Sequence, residues 1–166
     1  MKTSLSLLAI FALLLSSGPG PVRAESPLAP QASILYVTPT GAGNCSGWGA
    51  DACGLQKALN DAVPDDEIWV MMGTYKPTVD GIRDISFGLK TGVAVYGGFD
   101  GTETLREARN PAKNFTILSG DIGTAGDSSD NSYHVVTASG VGPTAVLDGF
   151  TITAGHSGGA QSAERL

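Results

Sequence analysis

Residues 93–99 have the sequence VAVYGGF, a short β-favouring run interrupted near its end by two glycines. Similar short runs recur on both sides of it. The intervals between their central residues are 25, 22, 18 and 17 residues, and these centres are Val70, Val95, Ile117, Val135 and Ile152. Repeats of about 20 to 50 residues are typical of solenoids, in which each unit stacks on the one before. The spacing therefore predicts an all-β fold, a right-handed parallel β-helix.

The strands of this prediction are short and are separated by glycine-containing turns. They are residues 34–37, 67–71, 93–99, 116–120, 133–137 and 144–152. A β-sandwich or jelly roll is the alternative, but it would give closer spacing and Asn-Gly or Asp-Gly hairpin turns. Such turns are scarce in the sequence, with exceptions at Asp80-Gly81, Asp100-Gly101 and Asp148-Gly149. We therefore favour the β-helix.

A helical pattern occurs at residues 55–63, where Leu55, Leu59 and Val63 share one face. Pro64 ends the pattern, because a residue before proline avoids helical dihedral angles. We expect this short helix to cover the N-terminal end of the coil, since an uncovered edge invites further strand pairing. The predicted β-helix segment is 33–155, with this capping helix near its start.

The N-terminus has the pattern of an export signal. Lys2 precedes an apolar run at residues 5–15, and Val22-Arg23-Ala24 provides a cleavage sequence. The apolar run has about 11 residues, whereas a transmembrane helix needs about 20. We predict a signal peptide at 1–24, a mobile leader at 25–32, and no transmembrane span in the mature chain. The predicted location is therefore secreted, or on the cell surface or outer membrane.

Composition limits the functional classes. The chain has 166 residues, 42% of them hydrophobic and 16% charged, with 23 glycines. It is too apolar to be disordered and too poor in charge for a charged helical bundle. Its formal net charge of -6 disfavours a nucleic-acid partner, because affinity for phosphates depends on clustered Lys and Arg.

Cys45 and Cys53 are the only two cysteines. An exported chain meets oxidising conditions, and the two residues lie close together in a glycine-rich stretch, so we predict a disulfide between them. Their spacing fits neither a zinc site nor a C-x-x-C redox pair.

Six motifs together resemble the N-terminal part of large bacterial secreted β-helix repeat proteins. These belong to the pectin-lyase-like superfamily and are similar to the polymorphic outer-membrane-protein group. The motifs lie at residues 36–41, 73–77, 95–99, 117–123, 133–136 and 147–152. The resemblance implies an exported protein that is either an adhesin-like surface stalk or, in distant branches, carbohydrate-active.

The chain departs from this family after Gly155. Residues 156–166 continue without a strand pattern, so we expect an irregular tail and an incomplete β-helix, a fragment of a longer chain. Such a coil would need further C-terminal coils or an oligomer partner to close it. The alternative is a naturally short protein whose last residues form the cap.

Three aspartates, Asp121, Asp127 and Asp130, supply oxygen ligands of the kind that calcium accepts. Their spacing fits no EF-hand, and a solvated turn between coils is the simpler interpretation. No cofactor is required by the sequence, and calcium is allowed.

Evidence for catalysis is weak in the sequence. Sugar cleavage needs two carboxylates across a groove, or a base with metal-bound acids. The available residues are Asp80, Asp84, Asp100, Glu103, Arg106 and Arg109, with Trp48 and Tyr75 as rings that would stack on sugars if exposed. His134 and His156 are isolated from each other. We therefore predict a non-catalytic scaffold or adhesin-like protein that binds an extracellular glycan or a surface protein. A polysaccharide lyase or glycoside hydrolase is the alternative.

Overall fold

The computed structural model describes residues 32–157, so the predicted signal peptide, most of the leader and most of the tail lie outside the described residues. Within this range the chain is mostly short strands with little helix, and every strand pairing is parallel. The strands are β1 Ile34–Val37, β2 Glu67–Met71, β3 Gly73–Tyr75, β4 Phe87–Gly88, β5 Ala94–Phe99, β6 Thr116–Ser119, β7 Val136–Thr137, β8 Val146–Asp148 and β9 Phe150–Thr153. The helix is α1 Leu55–Asp61, and short 3-10 turns lie at Gly49–Asp51, Arg106–Ala108 and Ser128–Asp130.

The strands form three parallel sheets. The first has the order β1-β2-β5-β8, the second β3-β6-β9 and the third β4-β7. From β2 onward the chain enters the first, second and third sheets in that order, repeats the cycle, and then passes through the first and second again. Each sheet therefore gains one strand per circuit of the chain.

In the first sheet, the register of the paired strands places apolar side chains next to one another. Leu35 pairs with Ile68, Ile68 with Val95, and Val95 with Leu147. The first three are at most 9% exposed and belong to one buried cluster, against which Leu147 packs. Side chains of the second and third sheets, including Phe87, join the same cluster. The three sheets therefore share a single core.

Helix α1 buries Leu55, Ala58 and Leu59 and packs against β1, β2 and β4. Strands β1 and β4 are the first strands of their sheets, so the helix packs at that edge of the first and third sheets. It ends at Asp61, two residues earlier than the pattern predicted, because Ala62, with a ψ of 140°, has already left the helical region. No helix within residues 32–157 is long and apolar enough to cross a membrane.

The intervals between the predicted strand centres do not measure the repeat, because the centres lie in different sheets. Val70 and Val95 lie in the first sheet, but Ile117 and Ile152 lie in the second. Some of the intervals thus joined two strands of one sheet, and others joined strands of different sheets. Observed partners are unevenly spaced: Glu67 pairs with Ala94, and Ala94 with Val146.

Two predicted strand boundaries also need correction. The run at 144–152 is divided into β8 and β9 by Gly149, which has a φ of 84° and turns the chain from the first sheet to the second. The run at 133–137 pairs as a strand only at Val136–Thr137. Strands β3 and β4 were missed, since they have three and two residues and both contain glycine.

The predicted disulfide between Cys45 and Cys53 is confirmed, with both residues buried. The loop that it closes also has main-chain hydrogen bonds, from Tyr36 N to Cys45 O at 2.9 Å and from Cys53 N to Tyr36 O at 3.0 Å. The bond therefore fixes this loop against β1.

Loss of this disulfide is expected to lower the free energy of unfolding by about 2.5 kcal/mol, because the short closed loop no longer restricts the unfolded chain. Urea unfolding of wild type and of the Cys45→Ala, Cys53→Ala double variant measures the loss. Reduced wild-type protein is the control, since it lacks the bond without losing side chains, and it should approach the double variant. Equal stability of oxidised and reduced wild type would contradict the prediction.

Candidate functional site

The acidic loop, residues 120–132, contains the three aspartates predicted as calcium ligands. It is closed at its base by a hydrogen bond from Ser132 N to Gly120 O at 2.8 Å. Asp121 Oδ2 accepts from Gly126 N at 3.2 Å, and Asp130 Oδ2 accepts from Thr124 N at 2.7 Å. Both carboxylates therefore reach from the two ends of the loop to its middle.

Asp127 has a different role from the other two aspartates. Its Oδ1 accepts from Ser129 N at 2.9 Å at the start of the 3-10 turn Ser128–Asp130. Hydrogen bonds from Ser129 lower the pKa of the Asp127 carboxyl below its ordinary value. Asp127 thus caps a turn on the exposed side of the loop.

Buried polar oxygens without hydrogen-bond partners are concentrated in this loop. In the described part of the chain there are five such oxygens, and four lie between positions 121 and 132. They are Asp121 Oδ1, Asp130 Oδ1, Asn131 Oδ1 and Ser132 Oγ. Within residues 32–157 no group of three or more His, Cys, Asp or Glu residues is placed to hold a metal ion. A cation here would need the two carboxylates together with neutral oxygens.

The charged loop, residues 100–109, contains four of the residues considered for sugar cleavage. Glu103 is 9% exposed, and its carboxylate accepts from the main-chain N–H groups of Asp100, Gly101 and Thr102 at 2.8 to 3.2 Å. Hydrogen bonds from Thr102 lower the pKa of Asp100. These acids stabilise the turn that contains them.

The two arginines of the charged loop fasten it to the first sheet. Arg106 binds Glu67 at 2.6 Å, and this carboxylate raises the pKa of Arg106. Arg109 donates to Gly97 O at 2.9 Å and to Asp148 at 2.5 Å. Both guanidinium groups lie about 5 Å from the centre of the Tyr96 ring. The structure thus gives these charged residues a packing role and leaves Asp80 and Asp84 exposed elsewhere.

The candidate sugar-stacking rings are engaged in packing. Tyr75 is 4% exposed and donates its hydroxyl to Met71 O, and burial raises its pKa, so this ring lacks the exposure that stacking on a sugar requires. Trp48 is half-buried, with its ring centre 4.8 Å from that of Tyr36, and it donates Nε1–H to Glu103 O. Trp69 and Phe99 stack with ring centres 4.8 Å apart and complete the cluster.

A surface groove, which sequence reasoning missed, lies beside β7 and β9. One depression of about 450 Å³ is lined by residues that include Tyr133, His134, Ile152 and Ser157. A second, of about 240 Å³, shares Tyr133, His134 and Ser157 and adds Asp84. The pairing of β4 with β7 brings Asp84 near His134, although they are far apart in sequence. We call these two depressions together the His134 groove.

The His134 groove presents groups that form hydrogen bonds, next to a ring. Arg83 lies over the Tyr133 ring at 4.2 Å and donates Nε–H to Asn131 O at 2.6 Å, which holds the edge of the groove in place. His134 and His156 are both exposed, and the main-chain N–H of His156 donates to Ser132 O. Imidazole, carboxylate and hydroxyl groups beside an aromatic ring suit a polar, uncharged ligand such as a sugar.

The sequence matches no protein-family model, and no curated protein and no solved structure matches it significantly.

Proposed function

We propose that residues 33–155 form the N-terminal segment of a right-handed parallel β-helix and act as a non-catalytic extracellular or cell-surface scaffold. The observation that carries this proposal is the order in which the chain visits its three sheets. A chain that passes repeatedly through the same three parallel sheets, adding one strand to each, describes successive turns of a coil. The right-handed sense follows the strong preference of parallel crossover connections.

The end of the coil opposite α1 supports a segment that continues or binds a partner. At one end α1 packs on β1 and β4. At the other end, β7, β8 and β9 each have one edge that no strand within residues 32–157 pairs with, and Val146 and Ile152 are 37% and 52% exposed there. Because unpaired edges with apolar side chains recruit further strands, we propose that more coils or an oligomer partner cover this end.

Export is supported by the disulfide, since such bonds persist mainly outside the reducing cytosol. The proposed ligand is an extracellular glycan bound in the His134 groove, with a surface protein as the other class of partner. Binding rather than catalysis is favoured because the acids and arginines of the charged loop already have structural partners.

A polysaccharide lyase or hydrolase is the second candidate function. Its specific support is the meeting of Asp84, Tyr133 and His134 at one cavity, since these side chains are able to transfer protons. Glycan binding followed by release of new sugar ends would favour this enzyme over the scaffold.

The change His134→Ala is expected to weaken glycan binding at least tenfold, because it removes the imidazole shared by both depressions of the groove. The measurement is binding of the full chain to immobilised neutral and acidic glycans, with sugar release followed in parallel. His156→Ala is the matched control, since the lining of neither depression includes His156.

Two outcomes would contradict this assignment of the groove. One is the absence of binding across the glycan panel, and the other is an equal loss in both histidine variants. The β-helix itself is tested separately by far-UV circular dichroism, where a spectrum dominated by helix would exclude it.

A further inference from the structure

We propose that the acidic loop binds one calcium ion through Asp121, Asp130 and the amide oxygen of Asn131. This site is independent of the proposed scaffold function and of the His134 groove. It also differs from the three-aspartate site that the sequence suggested, because Asp127 is replaced as a ligand by a neutral residue.

Each of the two carboxylates binds the middle of the acidic loop through one oxygen and has its other oxygen buried. Asp121 and Asp130 lie near opposite ends of the loop, and each binds a main-chain N–H in the middle, on Gly126 and Thr124. These two acceptor contacts use the Oδ2 atoms, which leaves both Oδ1 atoms buried without a hydrogen-bond donor. The loop therefore encloses two negatively charged oxygens that no described group neutralises.

Asn131 supplies a further oxygen at the neck of the loop. The bond from Ser132 N to Gly120 O places Asp121 and Asn131 opposite each other, just inside the closed end. Asn131 is only 6% exposed, and its Oδ1 is also buried without a partner. A buried amide oxygen without a donor is costly, and a cation held by the two carboxylates of the same loop would satisfy it.

Gly123 allows the Asp130 carboxylate to lie against the main chain. A Cβ atom at position 123 would overlap that carboxylate, so only glycine leaves room for it. The carboxylate is consequently held in the interior of the loop, with its Oδ1 buried there.

Arg83 contacts the loop at Asn131 O but forms no ion pair with Asp121 or Asp130. Arg83 donates to the carbonyl oxygens of Asn131 and His156, and its guanidinium group lies over the Tyr133 ring. No ion pair of Asp121 or Asp130 occurs within residues 32–157. Carboxylate and amide oxygens without nitrogen or sulfur ligands favour a hard cation, and calcium accepts the irregular ligand geometry of a loop.

Calcium titration of the full chain by isothermal calorimetry tests the site, with thermal unfolding as a second readout. We expect a single site with a dissociation constant of about 0.1 to 1 mM, as in extracellular calcium modules, and a higher melting temperature with calcium. Asp121→Asn and Asp130→Asn should each weaken binding at least tenfold. Asp127→Asn is the matched control in the same loop and should bind as wild type does.

Each result decides the proposal. The proposal would be overturned if wild-type protein shows no heat of binding and no rise in melting temperature at a calcium concentration ten times the upper expected dissociation constant. It would also be overturned if the Asp127→Asn control loses as much calcium affinity as the other two variants. Unchanged binding in the Asp121→Asn variant would place the ion elsewhere and also overturn it. If Asp130→Asn does not fold, the Asp121→Asn and control titrations still give the answer.

Discussion

Replacement of Phe87 by alanine is expected to lower the free energy of unfolding by about 4 kcal/mol, the range measured for buried aromatic side chains. Phe87 is 1% exposed and is among the largest fully buried side chains of the described residues. It lies on β4, in a sheet of only two short strands, and belongs to the core cluster that also contains Leu59, Val95 and Leu118. Its removal would leave a cavity where all three sheets and α1 meet.

The control for this prediction is Phe115→Ala, the same chemical change at a ring that is 62% exposed. We expect a change below about 0.5 kcal/mol there, because little apolar surface is buried at that position. Urea unfolding of both variants at one temperature provides the comparison. A loss at Phe87 no greater than that at Phe115 would show that the third sheet does not pack on the core as described.

Strands whose residues alone favour extended structure were predictable from the sequence. The run at 34–37 has the bounds of β1, and the run at 67–71 has the bounds of β2, because β-branched and aromatic residues predominate there. The disulfide was also predictable, since two cysteines in one short loop leave one pairing.

Strands β3 and β4 could not be found in this way. Gly73–Tyr75 and Phe87–Gly88 are too short for an alternating pattern, and their extended form depends on partners in β6 and β7. These partners are distant in sequence. The division of the chain among three sheets, and with it the uneven repeat, is therefore a tertiary property.

The candidate sites show the same division between local chemistry and distant partners. The oxygen-bearing side chains of the acidic loop are evident from residue type, but the sequence does not show that Asp127 accepts from Ser129 N while Asn131 Oδ1 is buried without a partner. The packing role of Arg106 depends on Glu67, which lies in another strand. No pattern within either segment alone indicates that pair.

Replacement of Gly97 by alanine is expected to lower the free energy of unfolding by about 3 kcal/mol, at the upper end of the cost of overpacking. A Cβ atom at this position would lie 2.6 Å from Gly149 O and 3.0 Å from Thr116 Cβ. The first contact is with main chain, which a side-chain rotation cannot relieve. Movement of Thr116 would disturb the hydrogen bond of 2.9 Å from Gly98 N to Thr116 Oγ1.

The matched control is Gly88→Ala, because Gly88 is also a strand glycine but its Cβ would lie 4.0 Å from Thr137 Oγ1, an ordinary contact. Alanine there should be neutral or slightly stabilising, since it reduces the freedom of the unfolded chain. Chemical denaturation measures the free energy of unfolding of both variants. A loss in Gly97→Ala alone would result from the close main-chain contact at position 97, whereas a loss in both would be a general effect of replacing glycine. Equal stability of the two variants would mean that β5 does not approach the turn at Gly149, and that the first sheet does not pass into the second at this point.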